Sequence, residues 1–125
     1  MAFSLGTPVK NARADAITAQ AGTGAQLQIW TTAYGTKLAQ WTWTGNVWAA
    51  AAAGVLTFNA PTTNPVAGLA TGTAAIAKLT KSDGTTAIIQ DLTVGISASD
   101  VIVANTSIAS GQNCTLTAFT VTEPA

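Results

Sequence analysis

A chain of 125 residues suits one domain with one hydrophobic core, and a 48% apolar composition excludes a disordered tail. Only 8% of residues are charged, five basic against five acidic, so no basic surface is present to offset phosphate charge and nucleic acid is excluded as a partner. The same near-neutrality removes the repulsion that keeps monomers apart, which favours a subunit that works in an assembly.

In chain order, residues 1–11 carry Gly6 and Pro8 and read as an extended arm. Ala12 to Ala21 (ARADAITAQA) has the apolar spacing of a short helix, with Asn11 as its cap and Gly22 and Gly24 as its stop. Residues 12–125 then form a single β domain. Ala25 to Thr31 alternates Leu27 and Ile29 against Gln26, Gln28 and Trp30, the period of a half-buried strand. Thr32 to Thr36 turns around Gly35, and Leu38 to Thr44 alternates again with Trp41 and Trp43 on one face. Val47 to Ala53 is ambiguous between helix, strand and loop, because alanine favours helix while the short length and Gly54 oppose it. Val55 to Ala60 is a short strand and Pro61 to Gly68 a loop.

Gly72 to Gly95 reads as a hairpin around Asp83-Gly84. A two-residue loop would pair Ala77 with Gln90, whereas a three-residue loop, Ser82 to Gly84, pairs Leu79 with Ala87 and Ala77 with Ile89. The second register gathers the apolar residues on one face and is the one expected. Asp100 to Ala104 follows as a strand, and Asn113 to Thr122 is the last. Its faces are Cys114, Leu116 and Ala118 against Thr115, Thr117, Phe119 and Val121. About seven strands with turns between them point to an all-β fold, an antiparallel sandwich or jelly roll with one short N-terminal helix.

The absence of histidine excludes Ser-His, Cys-His and His-metal designs, and no phosphate-binding glycine loop occurs. Asp83 is explained by its turn and Asp15 by pairing with Arg13 or Lys10; Glu123 lies in the tail. Asp91 and Asp100 could share a site, but a hard cation needs more oxygen ligands than they supply. No enzyme, metal or cofactor is expected. Cys114 is the only cysteine, so no intrachain disulfide forms and a buried thiol is expected. No signal-peptide pattern opens the chain, and the longest apolar run, Val47 to Leu56, is too short to span a bilayer.

Trp30, Trp41, Trp43 and Trp48 fall within nineteen positions. In a chain rich in Ala and Thr, two or three of them would fill the core and one would stay exposed as an interface anchor. Exposed tryptophans could instead form a carbohydrate platform, which makes a carbohydrate-binding module the rival reading.

The second half carries an order of short motifs: Lys81 to Thr86 (KSDGTT), Asp91, Val94-Gly95, Ser99 to Val103 (SDVIV), Asn105 to Ile108 (NTSI), Ser110-Gly111 and Thr117 to Pro124 (TAFTVTEP). In that order it resembles a family of small virion structural proteins of tailed bacteriophages. The first half matches more loosely through the Ala/Arg helix, Leu27 to Trp30 and Leu38 to Trp43, and departs at the Trp-rich centre and at Ala49 to Ala53. The resemblance implies a cement or decoration protein that binds the major capsid protein or other virion subunits as a small homo-oligomer, a dimer or trimer. A neck, tail or fibre component is the structural alternative. It carries over no functional residues. Phe3 and Leu5 in the arm, with the four tryptophans, are the expected partner contacts, and neither nucleic acid nor membrane is an expected partner.

Overall fold

A computed structural model describes residues 6–122. The protein is all-β with one N-terminal helix, built on a mixed seven-stranded sheet that curls into a half-barrel. The helix α1 spans Thr7–Ala21, five residues longer at its start than the alanine run suggests. Pro8 lies in its first turn, where the missing N–H has no intrahelical acceptor to lose. Residues 7–11 are therefore helical rather than part of an extended arm. Asn11 is inside the helix instead of capping it, and its Oδ1 accepts from the Gly54 N–H at 2.8 Å. Gly22 ends the helix at φ +64°, its N–H donating to the Thr18 carbonyl at 3.1 Å. Among the described residues no helix is long and apolar enough to cross a membrane.

The strands of the main sheet are β1 (Gln26–Trp30), β2 (Lys37–Thr42), β3 (Val55–Thr57), β6 (Ile76–Thr80), β7 (Ala87–Gly95), β8 (Val101–Val103) and β11 (Leu116–Thr122). Their spatial order is β2-β1-β6-β7-β8-β11-β3. Two short ribbons complete the structure: β4 (Val66–Ala67) pairs with β10 (Asn113–Cys114), and β5 (Gly72–Thr73) with β9 (Ser107–Ile108). Alternation in β1 places Leu27 and Ile29 in the core beside Ala39 and Trp41 of β2 and Ala77 and Leu79 of β6. Val47 to Ala53, ambiguous in the sequence, is a loop that makes single bridges from Trp48 to Phe58 and from Ala52 to Val55.

Both outer strands of the sheet are covered. The carbonyls of Leu38 and Thr42 on β2 accept from Leu69 and Thr62, each at 2.8 Å. On β3, Thr57 accepts from Ala49, and Val55 exchanges two hydrogen bonds with Ala52. Loop contacts of this kind hinder strand addition at the two ends of the sheet.

The β6–β7 hairpin differs from the expected register. Thr80 pairs with Ala87 and Leu79 with Ile89, and the Lys81 N–H donates to the Thr86 carbonyl at 2.9 Å. The loop thus holds four residues, 82–85, not three. The extra residue follows from Asp83, whose carboxylate accepts from the N–H groups of Thr85 and Thr86 at 2.9 Å and from the Thr86 hydroxyl. This side-chain demand overrides the apolar pairing rule. Two register shifts follow, so Ala77 meets Leu92 instead of Ile89. Gly84 takes φ +75° and packs over β1, where a Cβ would come within 3.0 Å of Gln26 Oε1.

Two further departures bear on the surface. β8 runs parallel to β7, not antiparallel, through Val94↔Val101 and Gly95↔Ile102. Parallel neighbours ordinarily need a long crossover; with only two aligned pairs, the five-residue loop 96–100 suffices. Asp100 closes that loop by accepting from Thr93 N and Oγ1 at 3.1 Å. The last strand is broken at Thr115 and slips between Leu116 and Ala118, so Leu116 and Phe119 are both buried rather than on opposite faces.

Hydrogen bonds from the Thr86 hydroxyl and then the Thr86 and Thr85 N–H groups hold the Asp83 carboxyl down to about 2 from the usual 3.8. The folded value lies below the unfolded one, so the turn's stabilisation is complete above 3.8 and is lost as pH falls through about 2. In an acid titration followed by NMR, the Thr85 and Thr86 amides should shift together with a midpoint near 2, and Asp83→Asn should remove the transition. A midpoint at the ordinary carboxylate value would show that the turn is not held this way.

Candidate functional site

Large side chains are scarce in this core, and the tryptophans divide accordingly. Trp41, Trp43 and Trp48 are at most 2% exposed. Each buried indole N–H has an acceptor, as burial requires. Trp41 donates to Asn64 Oδ1 at 3.3 Å, Trp43 to the Asn59 carbonyl at 2.8 Å and Trp48 to the Phe119 carbonyl at 3.4 Å. The Trp48 and Phe119 ring centroids are 5.0 Å apart. Burial removes these three from the expected set of surface contacts: their rings are committed to the interior. Phe3 and Leu5 lie outside the described residues.

Trp30 is the half-exposed member, and residues from four segments fix it. Its N–H donates to Gln28 Oε1 at 3.3 Å. Gln28, only 2% exposed, donates in turn to the Gly84 carbonyl at 3.0 Å and to Gln26 Oε1 at 3.3 Å. Tyr34 stands nearly perpendicular to the Trp30 ring at 6.0 Å. The Lys78 ammonium lies 5.1 Å from the Trp30 centroid and 5.2 Å from that of Tyr34, the geometry of a cation–π contact with both.

Asp91 locks Tyr34 in place. The phenol donates to Asp91 Oδ1 at 3.0 Å and accepts from the Asp91 N–H at 2.8 Å. Burial raises the Tyr34 phenol above its usual pKa, the Asp91 N–H opposes that rise, and the Asp91 carboxylate adds to it. Ala33, Tyr34 and Asp91 all have φ between +57° and +58°, a left-handed conformation costly for residues other than glycine. Sequence reasoning missed Tyr34, Lys78 and Asp91 as partners of Trp30. The one local signal was an aspartate interrupting the apolar run Ala87 to Val94.

The remaining candidates separate. Asp91 on β7 serves Tyr34 in the turn after β1, and Asp100 serves Thr93 across the 96–100 loop. Among the described residues no group of three or more Cys, Asp or Glu side chains is placed to hold a metal ion. Asp15 accepts from the Ala51 N–H at 2.9 Å, tying α1 to the alanine loop. Cys114 is buried as expected, and burial pushes its thiol pKa up. Two open clefts flank α1. One of about 370 Å³ lies between Asp15, Thr18 and Ala19 and the loop carrying Asn46 and Trp48. The other, about 410 Å³, lies between Ile17 and the hairpin residues Lys81, Ala87 and Ile88.

Comparison with family models, with curated proteins and with solved structures finds no match to this chain.

The division of the tryptophans has an energetic consequence. Trp48→Ala should cost about 3–5 kcal/mol, because it opens a cavity against Phe119. Trp30→Ala, at a half-exposed position, should cost about 1 kcal/mol or less. Urea unfolding with an unchanged slope measures both; equal losses would refute the assignment.

Proposed function

We propose that the chain is a non-enzymatic virion structural protein of a tailed bacteriophage, a cement or decoration protein that docks on the capsid shell as a small homo-oligomer. The observation that carries this reading is the ordered set of turn motifs in the second half, which resembles that family. Its aspartates have structural partners in this fold: Asp83 holds the hairpin loop, Asp91 the Tyr34 clasp and Asp100 the 96–100 loop. The motifs thus read as a signature of shape rather than of chemistry.

The form of the molecule supports the same reading. With the outer strands β2 and β3 hydrogen-bonded to loops, contact through faces is the mode of association this reading favours. The outward face of α1 carries Val9, Ala12, Ala16 and Ala19 at helical spacing, opposite the buried Ala14 and Ala21. Val9 is 48% exposed. Phe3 and Leu5 precede this helix and continue its apolar character. Apolar area removed from water at such a contact contributes roughly 25 cal/mol per Å². Association costs several kcal/mol of lost freedom, and repetition over a lattice offsets that cost through avidity.

Because α1 begins at Thr7, the deletion that tests the arm is residues 2–5, which leaves the helix intact. Shells carrying the shortened chain should show at least about a tenfold loss of occupancy at unchanged thermal stability, equivalent to some 1.4 kcal/mol. Full occupancy would remove the arm from the interface. Imaging of labelled protein on the virion should place it on the capsid; label at the neck, tail or fibres would replace decoration with that role.

A further inference from the structure

We propose that the corner formed by Trp30, Tyr34, Lys78 and Asp91 is a binding platform for a neutral pyranose sugar. The site does not involve α1 and stands apart from the shell-docking reading. It is assembled from residues far apart in the chain: Trp30 from β1, Tyr34 from the turn after it, Lys78 from β6 and Asp91 from β7.

Three properties specify the ligand. The first is a fixed aromatic corner. The two rings stand at 77°, and the polar atom of each is already engaged, the indole N–H by Gln28 and the phenol by Asp91. They therefore offer stacking surface rather than hydrogen bonds, which suits the C–H face of a pyranose ring.

The second is a balanced polar rim. Lys78 brings an ammonium with three donors, and its charge rests on the two rings. The exposed Asp91 brings a carboxylate, an acceptor-only group, with Oδ1 already taking the phenol proton. A donor and an acceptor at one corner match the hydroxyls of a sugar. Asp91 disfavours phosphate and other strong anions, and the Lys78 ammonium disfavours a ligand cation.

The third is preorganisation under strain. Three of the five non-glycine residues with positive φ among the described residues, Ala33, Tyr34 and Asp91, lie at this corner. The buried amide of Gln28 links Trp30 to the hairpin loop through Gly84. Strain and a buried supporting hydrogen bond at a half-buried aromatic are hard to explain by stability alone, and they are the features that hold a binding geometry in advance.

The test titrates the full chain with four neutral hexasaccharides: maltohexaose, cellohexaose, chitohexaose and mannohexaose. Polygalacturonate is the anionic comparison, and the Trp30 indole N–H resonance is followed by NMR. At least one neutral sugar should give a saturable shift of the Trp30 indole together with the Tyr34 and Lys78 backbone amides; the amide shifts should be lost in Trp30→Ala, and binding should weaken about tenfold in Lys78→Gln. The resonances of Trp41, Trp43 and Trp48 serve as the check that both variants remain folded. No saturable shift with any neutral sugar, a response to polygalacturonate alone, or binding that survives Trp30→Ala in a folded protein would each overturn the proposal.

Discussion

The amide of Asn64 holds together the two ends of the curled sheet. Its Oδ1 accepts from the Trp41 indole at 3.3 Å and from the Leu116 N–H at 3.0 Å, and its Nδ2 donates to the Leu116 carbonyl at 2.9 Å. Trp41 lies on β2, at one end of the strand order, and Leu116 on β11, next to the other end. One side chain from a loop thus performs the pairing that a missing strand would supply. The demand originates in composition: a chain rich in Ala and Thr must fill its core with a few large rings, and a buried indole requires an acceptor. Trp43 and Trp48 impose the same demand on Asn59 and Phe119. The loop that carries Asn59 and Asn64 also bonds to β2, through the Thr62 N–H and the Thr42 carbonyl.

This dependence explains what the sequence discloses and what it withholds. The Gly22 stop and the Asp83-Gly84 turn are local signals realised in the fold, and the alternation in Gln26–Trp30 holds except at Gln28, which is buried. So is the expectation that the tryptophans would divide between core and surface. Which tryptophan stays outside is not a local matter, because Gln28, Tyr34 and Lys78 converge on Trp30 only after the sheet has formed. The hairpin register was misjudged because apolar pairing was weighed without the Asp83 carboxylate, which captures two backbone N–H groups. The face switch after Leu116 arises from a register slip, and the parallel β7–β8 contact from the short 96–100 loop; alternation carries no warning of either. The helix start was hidden by Pro8, a residue that reads as a breaker yet fits a first turn.

The same economy shapes the surface. Asp15, Asp83, Asp91 and Asp100 each hold a loop or turn in place, and the ten charged residues of the whole chain leave little net charge to steer or repel a partner. What faces outward is a helix lined by small apolar residues and one preorganised aromatic corner. The first suits a subunit carried on a repeated lattice, and the second offers a separate contact chemistry on the same small domain.

Native-state hydrogen exchange of the four indole N–H groups tests this account most directly. Buried and bonded indoles open only with the structure that encloses them. The account predicts slow exchange for Trp41, Trp43 and Trp48, at rates like those of the central β1 and β6 amides, and faster exchange for Trp30. A Trp41 indole that exchanged as fast as that of Trp30 would show that Asn64 does not hold the ends of the sheet together, and would contradict it.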